Sequence, residues 1–294
     1  MKRFIALLTA VFAVCFTINA YAEDQVPAPA AAPAVAAAPA PAADAVTGSV
    51  TLTPLNRYIF RGAELSTASL VLQPSVTINY KGFSLNVWGN LDTDQHQTQA
   101  FTPGRYTDAS GMPVGEGQTS WNETDVTLSY TYNIDKLALT GGYIYYGTNY
   151  TQQTQELYVS TTYDMIAHPT LSIYLDIDAH PGVYFNLSFS QSLPVYKLST
   201  GDVTVDLGAG FGYYDVYDPG EKYSAFHDGN VKAGLTIPVA KNVVVQPLIQ
   251  WWFPLSSTSH HDNDVIIDGN LVNTNPAGHI DYTFVYGIGV TLNF

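Results

Sequence analysis

The sequence predicts an all-β protein, a closed antiparallel up-and-down barrel of about twelve strands that spans a membrane. Apolar and polar residues alternate with a period of two from about residue 47 to the last residue, as in strands with one apolar and one polar face. Charged residues make up only 12% of the chain, about half the share of a soluble domain. The polar faces are rich in Gly, Ser, Thr and Asn, which suits a polar lumen with lipid outside.

The composition argues against other classes of protein. The net charge of −14 is unfavourable for a nucleic-acid partner, because phosphate recognition needs clustered Lys and Arg. An aromatic content of 13% combined with few charges argues against a disordered acidic chain. A single apolar run approaches the length of a helical span, so a multi-span helical membrane protein is also excluded.

The N-terminus has the pattern of a secretory signal peptide. A short basic segment precedes an apolar run over residues 4–17, which is followed by a small-x-small sequence that ends at Ala22. We therefore expect residues 1–22 to be removed by cleavage after Ala22. The alternative is an uncleaved membrane anchor, although the run is short for a bilayer span. The single cysteine, Cys15, lies in this segment, so the exported chain is predicted to have no disulfide.

Residues 23–46 differ in composition from the rest of the chain. Twelve of them are Ala and five are Pro, and this density of Pro prevents a stable helix and favours an extended, polyproline-like chain. We expect a periplasmic spacer. A docking site for a periplasmic partner is the alternative.

The remaining segment, residues 47–294, is predicted to be the barrel. The predicted strands are residues 47–62, 69–80, 83–93, 121–133, 137–147, 155–163, 169–179, 183–194, 203–214, 226–238, 243–255 and 281–294. Short connections mostly alternate with longer ones, as at the two ends of Gram-negative outer-membrane barrels. An even number of strands places both termini on the periplasmic side. Ten or fourteen strands are the alternatives.

Three segments of the sequence resemble a known family. They are residues 56–62 (Asn-Arg-Tyr-Ile-Phe-Arg-Gly), residues 88–90 (Trp-Gly-Asn) and residues 289–294 (Gly-Val-Thr-Leu-Asn-Phe). They resemble a proteobacterial family of outer-membrane porins, whose members begin with a strand carrying a Tyr-x-Phe/Trp-Arg-Gly motif and end in an aromatic residue. The resemblance implies an outer-membrane barrel with a channel function and no assigned substrate. It also implies that Phe294 is the signal recognised by the barrel assembly machinery.

The phase of the strands predicts which charged residues face the lumen. These residues are Arg57, Arg61, Asp92, Glu123, Asp125, Glu156, Asp176, Asp178, Asp206, Asp228 and Lys232. Eight are acidic and three are basic, which predicts a porin-like channel for small polar solutes with a mild preference for cations. Arg57 and Arg61 are expected on the first strand, facing carboxylates near the outer mouth. In the alternative, these charges pair and fill the lumen of a structural or adhesion barrel.

Catalysis and metal binding have weaker support in the sequence. The chain has no Gly-x-Ser-x-Gly motif, so a lipid hydrolase is an unlikely class, and His180 beside Asp178 is its best candidate pair. The loop sequence His260-His261-Asp262-Asn263-Asp264 has metal-binding side chains without a fixed ligand spacing. We therefore predict no enzyme, cofactor or metal. The expected partners are outer-membrane lipid, the assembly machinery and small polar solutes.

Overall fold

The computed structural model describes residues 45–66, 69–95, 117–149, 151–217, 223–260, 265–267, 270–272 and 280–294. The predicted signal peptide and all but the last two residues of the predicted spacer lie outside this part of the chain. Among the described residues, no helix is long and apolar enough to cross a bilayer.

Sixteen strands are described. In chain order they are β1 (Thr47–Leu55), β2 (Tyr58–Phe60), β3 (Ala63–Ser66), β4 (Val71–Tyr80), β5 (Phe83–Gln95), β6 (Gln118–Ile134), β7 (Leu137–Thr148), β8 (Thr154–Tyr163), β9 (Thr170–Asp176), β10 (Gly182–Leu198), β11 (Gly201–Val216), β12 (Tyr223–Ala240), β13 (Val243–Pro254), β14 (Val265–Ile267), β15 (Asn270–Val272) and β16 (Thr283–Asn293).

Twelve of these strands form one closed barrel in the order β1-β4-β5-β6-β7-β8-β9-β10-β11-β12-β13-β16, and β16 pairs with β1 to close it. Neighbouring strands are antiparallel throughout. β2 with β3, and β14 with β15, form two separate hairpins. The predicted twelve-stranded barrel is confirmed.

The outer wall carries the apolar side chains. On β16, Phe284, Tyr286 and Val290 are exposed, whereas the intervening Val285 and Thr291 are buried. The same alternation is found on β5, where Leu85 and Val87 are exposed and Asn86 and Trp88 are buried. Since closure pairs the strand backbones around the whole ring, an apolar outer wall is the surface expected of a barrel immersed in lipid.

The C-terminal residue completes the junction between β1 and β16. Gly48 N donates to Phe294 O at 2.8 Å, and Phe294 N donates to Gly48 O at 2.9 Å. A Cβ added at Gly48 would lie 2.6 Å from Cζ of the Phe294 ring, so a larger residue at Gly48 would displace that ring. The ring itself is 60% exposed on the outer wall.

The two ends of the barrel have different connections. At the terminal end, which holds the start of β1 and the end of β16, Lys81 and Gly82 have φ values of 49° and 85°, as in the type I′ turns that join adjacent strands. At the opposite end, the loop end, the chain connects β5 to β6 through residues 96–117 and β13 to β16 through residues 255–282.

The prediction for the first strand is wrong beyond Leu55. The strand ends where the side chain of Asn56 replaces its ladder: Asn56 Nδ2 donates to Phe284 O at 3.2 Å, and Tyr286 N donates to Asn56 Oδ1 at 2.7 Å. The chain then folds back as the hairpin β2–β3. Tyr58, Ile59 and Phe60 are residue types favoured in any strand, so their sequence does not separate a hairpin strand from a continuation of β1.

Candidate functional site at the loop end of the lumen

The hairpin β2–β3 lies inside the barrel at the loop end. Tyr58, Ile59 and Leu65 are each at most 5% exposed and pack with inner side chains of several wall strands. The Tyr58 ring lies 5.5 Å from the ring of Trp88 on β5, and Trp252 of β13 belongs to the same apolar cluster. The hairpin therefore contacts wall strands on both sides of β1 and occupies the mouth of the lumen.

The hairpin turns at Arg61 and Gly62, which have φ values of 46° and 81°. Two successive positive φ values define a type I′ turn, which glycine adopts without strain and arginine does not. A Cβ added at Gly62 would lie 2.6 Å from Cβ of Asp228 and 2.9 Å from Ile280. The Arg-Gly pair of the sequence motif therefore allows a tight turn and a close approach to the wall.

Arg61, at the tip of the hairpin, forms a two-pronged ion pair with Glu156 of β8. Its Nη1 donates to Glu156 Oε1 at 2.8 Å and its Nη2 donates to Oε2 at 2.7 Å. The hydroxyl of Tyr146 also donates to Oε2, at 2.8 Å. Burial by itself would lower the pKa of the Arg61 guanidinium, but the facing Glu156 carboxylate raises it above its usual value, so the guanidinium stays charged.

The Arg61 guanidinium also lies against a row of tyrosines. Tyr158, Tyr174, Tyr184 and Tyr214 are consecutive cross-strand partners on β8, β9, β10 and β11. We call this row the tyrosine wall. The Arg61 Cζ atom lies 4.9 Å from the ring centroid of Tyr174 and 4.4 Å from that of Tyr184, distances at which a cation is attracted to an aromatic ring.

The tyrosine wall is held by contacts of its own. The rings of Tyr158 and Tyr174 are stacked with centroids 5.4 Å apart. The Tyr184 hydroxyl donates to Asp228 Oδ1 at 2.9 Å. These contacts join wall strands to each other and do not involve the hairpin.

The other end of the hairpin is fixed by a chain of short hydrogen bonds. The hydroxyls of Ser66 and Ser69 lie 2.7 Å apart, and Ser69 Oγ donates to Asp92 Oδ1 of β5 at 2.6 Å. The backbone of Ala63 also forms a β-bridge with Ile280 near the start of β16. The hairpin is thus attached to the wall by side chains and by this bridge.

Carboxylates predominate among the buried charges. Among the described residues, six carboxylates and one guanidinium are buried: Asp92, Glu123, Asp125, Glu156, Asp176, Asp228 and Arg61. A β-bulge in β6 adds the amide of Asn122 beside Glu123, because the extra residue of a bulge changes the phase of the strand. The mouth of the lumen is therefore acidic around its one buried cation.

The other charges predicted to face the lumen have different environments. Asp206 of β11 accepts hydrogen bonds from Thr204 and Thr236, each at 2.8 Å. Lys232 of β12 is half-buried and lies along Gly208. Asp206 and Lys232 thus lie between neighbouring wall strands, nearer the middle of the barrel than Arg61.

The structure places three of these residues differently from the prediction. Asp178 lies beyond the end of β9, is exposed, and accepts a hydrogen bond from Gln155, which is on the outward phase of β8. Arg57 is not on a wall strand: it precedes β2 and pairs with Glu64 within the hairpin at 2.6 Å. Arg61 is likewise in the hairpin and contacts β8, across the barrel from β1, instead of the strands beside β1.

Below the hairpin, toward the terminal end, the inner wall is lined by hydroxyl groups that pair across strands. Thr162 Oγ1 lies 2.8 Å from Thr170 Oγ1, and Ser160 Oγ lies 2.8 Å from Ser172 Oγ. Thr51 and Thr291 form a similar pair at 2.9 Å across the β1–β16 junction. Such a surface is polar and uncharged.

The candidate metal-binding loop is only partly described. His260 Nε2 lies 3.9 Å from Asp281 Oδ1, and residues 261–264 lie outside the described residues. Within the described part of the chain, no group of three or more His, Cys, Asp or Glu side chains is placed to hold a metal ion. His180 belongs to the candidate catalytic pair identified in the sequence, and its backbone N–H donates to Asp176 Oδ1 at 3.2 Å.

The period-two pattern of the sequence is sufficient to point Tyr174 and Tyr184 inward, but it does not reveal the tyrosine wall as a unit. Tyr158 and Tyr214 join it because the register of β8 to β11 puts all four rings at one height. The sequence signal that could have predicted the tyrosine wall is one inward tyrosine on each of four successive strands. No sequence pattern near Arg61 or Glu156 indicates that these two residues, 95 apart in the chain, form a contact.

Comparison with family models and with curated proteins found no match. Among solved structures, the chain is similar to the NanC porin, with 10% identity, a TM-score of 0.49, and coverage of 83% of this chain and 98% of that one. It is also similar to the COG4313 outer membrane channel from Pseudomonas putida F1, with 8% identity, a TM-score of 0.47, and coverage of 85% and 96%. It is similar as well to the anion-selective porin from Comamonas acidovorans, with 8% identity and a TM-score of 0.32. That comparison covers 85% of this chain and 99% of the porin.

Proposed function

We propose that the protein is an outer-membrane channel for small polar solutes, that its lumen prefers cations, and that the hairpin β2–β3 closes its outer mouth in this conformation. The observation that carries the proposal is a closed barrel with an apolar outer wall, a hydroxyl-lined interior and a ring of buried carboxylates at one end. In this arrangement the terminal end faces the periplasm, where we expect the spacer of residues 23–46.

The attachment of the hairpin supports a closing element rather than a fixed part of the wall. β2 and β3 form their own two-stranded sheet, so the hairpin can leave the lumen without breaking any ladder between wall strands. The contacts that hold it are the Arg61–Glu156 pair, the Ser69–Asp92 bond, the Ala63–Ile280 bridge and apolar packing. The acidic mouth would then concentrate cations over anions.

A reversible disulfide tests this role of the hairpin. Ala63 and Ile280 form an antiparallel bridge, and bridge partners have Cα atoms about 4.5–5.5 Å apart, within the range of a disulfide. We expect the Ala63→Cys/Ile280→Cys variant to show less current in planar bilayers when oxidised, and to regain the wild-type current when reduced. The reversal potential of the reduced form in a KCl gradient should indicate cation preference. A current that does not change on reduction would contradict closure by the hairpin.

A structural barrel with a permanently filled lumen is the second candidate. The near-complete burial of Tyr58, Ile59 and Leu65 favours it, since such packing is typical of a core. This candidate predicts no conductance in the wild type, in the reduced Ala63→Cys/Ile280→Cys variant, or in a variant whose hairpin contacts have been removed. Conductance in any of the three would exclude it.

A further inference from the structure

We infer that the tyrosine wall and Glu156 form a binding site for guanidinium-bearing solutes, and that the Arg61 side chain occupies this site as an internal ligand when the hairpin is docked. The inference rests on the proposed function, because a solute reaches the site only through an open mouth. It names the class of solute that a channel of this kind would select.

The geometry around Arg61 is that of a recognition site for a planar cation. Glu156 accepts two parallel N–H bonds, at 2.8 and 2.7 Å, which matches the fork of a guanidinium and not the point charge of an ammonium. The rings of Tyr174 and Tyr184 lie 4.9 and 4.4 Å from the guanidinium carbon. One carboxylate and two aromatic rings thus contact the same cation.

The site is built from wall residues that contact each other, and Phe60 of the hairpin packs against them. Glu156 is held by the hydroxyl of Tyr146, at 2.8 Å, and Tyr184 by Asp228, at 2.9 Å. Tyr174 is stacked on Tyr158. Apart from Phe60, whose ring lies 4.8 Å from the Arg61 Cζ atom, these groups are all on barrel strands. When Arg61 leaves, the groups that bound it therefore stay in place.

The carboxyl groups nearby favour the return of a cation. Asp125, Asp176 and Asp228 are buried at the same end of the barrel as Glu156. Removing the guanidinium leaves the Glu156 carboxylate without its counter-ion in a poorly solvated site, and this is costly until another cation binds. A solute guanidinium therefore competes with Arg61, and its binding favours the released hairpin.

The experiment removes the Arg61 side chain from the site and measures whether a free guanidinium compound binds in its place. Arg61→Ala removes the guanidinium from the site, and Arg57→Ala is the matched control, because Arg57 pairs with Glu64 inside the hairpin and not with the tyrosine wall. Binding of methylguanidinium, methylammonium and uncharged methylurea is measured by titration calorimetry on the folded barrel in detergent. We expect Arg61→Ala to bind methylguanidinium about tenfold more tightly than it binds methylurea, and about tenfold more tightly than Arg57→Ala does. Adding Glu156→Gln should abolish this difference.

Equal affinity of the two single variants for methylguanidinium, or equal affinity of Arg61→Ala for methylguanidinium and methylurea, would overturn the inference. Methylammonium binding as tight as methylguanidinium would overturn its guanidinium specificity. If Arg61→Ala does not fold alone, the yield of folded barrel after refolding with each compound replaces the titration: a higher yield with methylguanidinium supports the site, and equal yields refute it.

The readout separates this inference from the proposed channel function. Binding in detergent without conductance in any variant would support the site and contradict the channel. Conductance without selective binding would support the channel and contradict the site.

Discussion

Replacing Glu156 by Gln is expected to release the hairpin from the lumen. The substitution keeps the size of the side chain and removes its charge, so the Arg61 guanidinium loses both charge-assisted hydrogen bonds, at 2.8 and 2.7 Å. The two side chains are only 6% and 4% exposed, so water cannot replace the lost carboxylate while the hairpin stays docked. Breaking a buried pair by removing one partner costs about 3–5 kcal/mol.

That cost translates into a measurable shift in the docking equilibrium. An energy of about 3–5 kcal/mol lowers the ratio of docked to released hairpin by roughly two to three and a half orders of magnitude. Hydrogen exchange of the backbone amides in residues 57–66, followed by mass spectrometry of the folded barrel, reports this ratio directly. We expect exchange in this segment to accelerate by about the same factor, while exchange in the wall strands stays unchanged.

The matched control is Arg57→Ala. The Arg57–Glu64 pair has the same chemistry and a distance of 2.6 Å, but its side chains are 27% and 17% exposed, and partly solvated pairs contribute about 0–1 kcal/mol. Arg57→Ala should therefore accelerate exchange by less than about tenfold. If Glu156→Gln and Arg57→Ala have the same effect, the buried pair does not hold the hairpin, and the reasoning from burial is refuted.

Four further predictions concern the turn, the C-terminus, the lumen charge and the N-terminus. Gly62→Ala should undock the hairpin in the same exchange assay, since the φ of 81° and a Cβ contact of 2.6 Å both oppose a side chain there; wild-type exchange would contradict this. Deleting Phe294 should reduce the amount of folded barrel, seen as heat-modifiable gel mobility, because its backbone closes the junction with β1; a normal amount would argue against an assembly role. Adding Asp176→Asn to the reduced Ala63→Cys/Ile280→Cys variant should lower cation preference in reversal-potential measurements, less so at high salt; an unchanged potential would place this carboxylate off the ion path. Mass spectrometry of the exported protein should give a chain that begins at Glu23, and a retained 1–22 segment would disprove the cleavage site.

The sequence alone determined the barrel, because its evidence is local. Each wall strand has a period-two alternation that can be counted residue by residue, and the outward phase of Phe284, Tyr286 and Val290 follows from it directly. Predicted and observed bounds agree within a few residues for all wall strands except β1. The inward phase of Glu123, Asp125 and Asp228 was predictable for the same reason.

The tertiary structure decided the arrangement at the mouth of the lumen. Residues 56–62 are predicted from the sequence to continue the first wall strand, and only the Asn56 bonds to β16 and the positive φ of Arg61 and Gly62 show that the chain leaves the wall after Leu55. The Arg61–Glu156 pair joins residues 95 apart in the chain. The tyrosine wall likewise depends on the register of four strands. Local alternation determines the face to which a side chain points, whereas its height in the barrel and its partner depend on strand pairing across the whole ring.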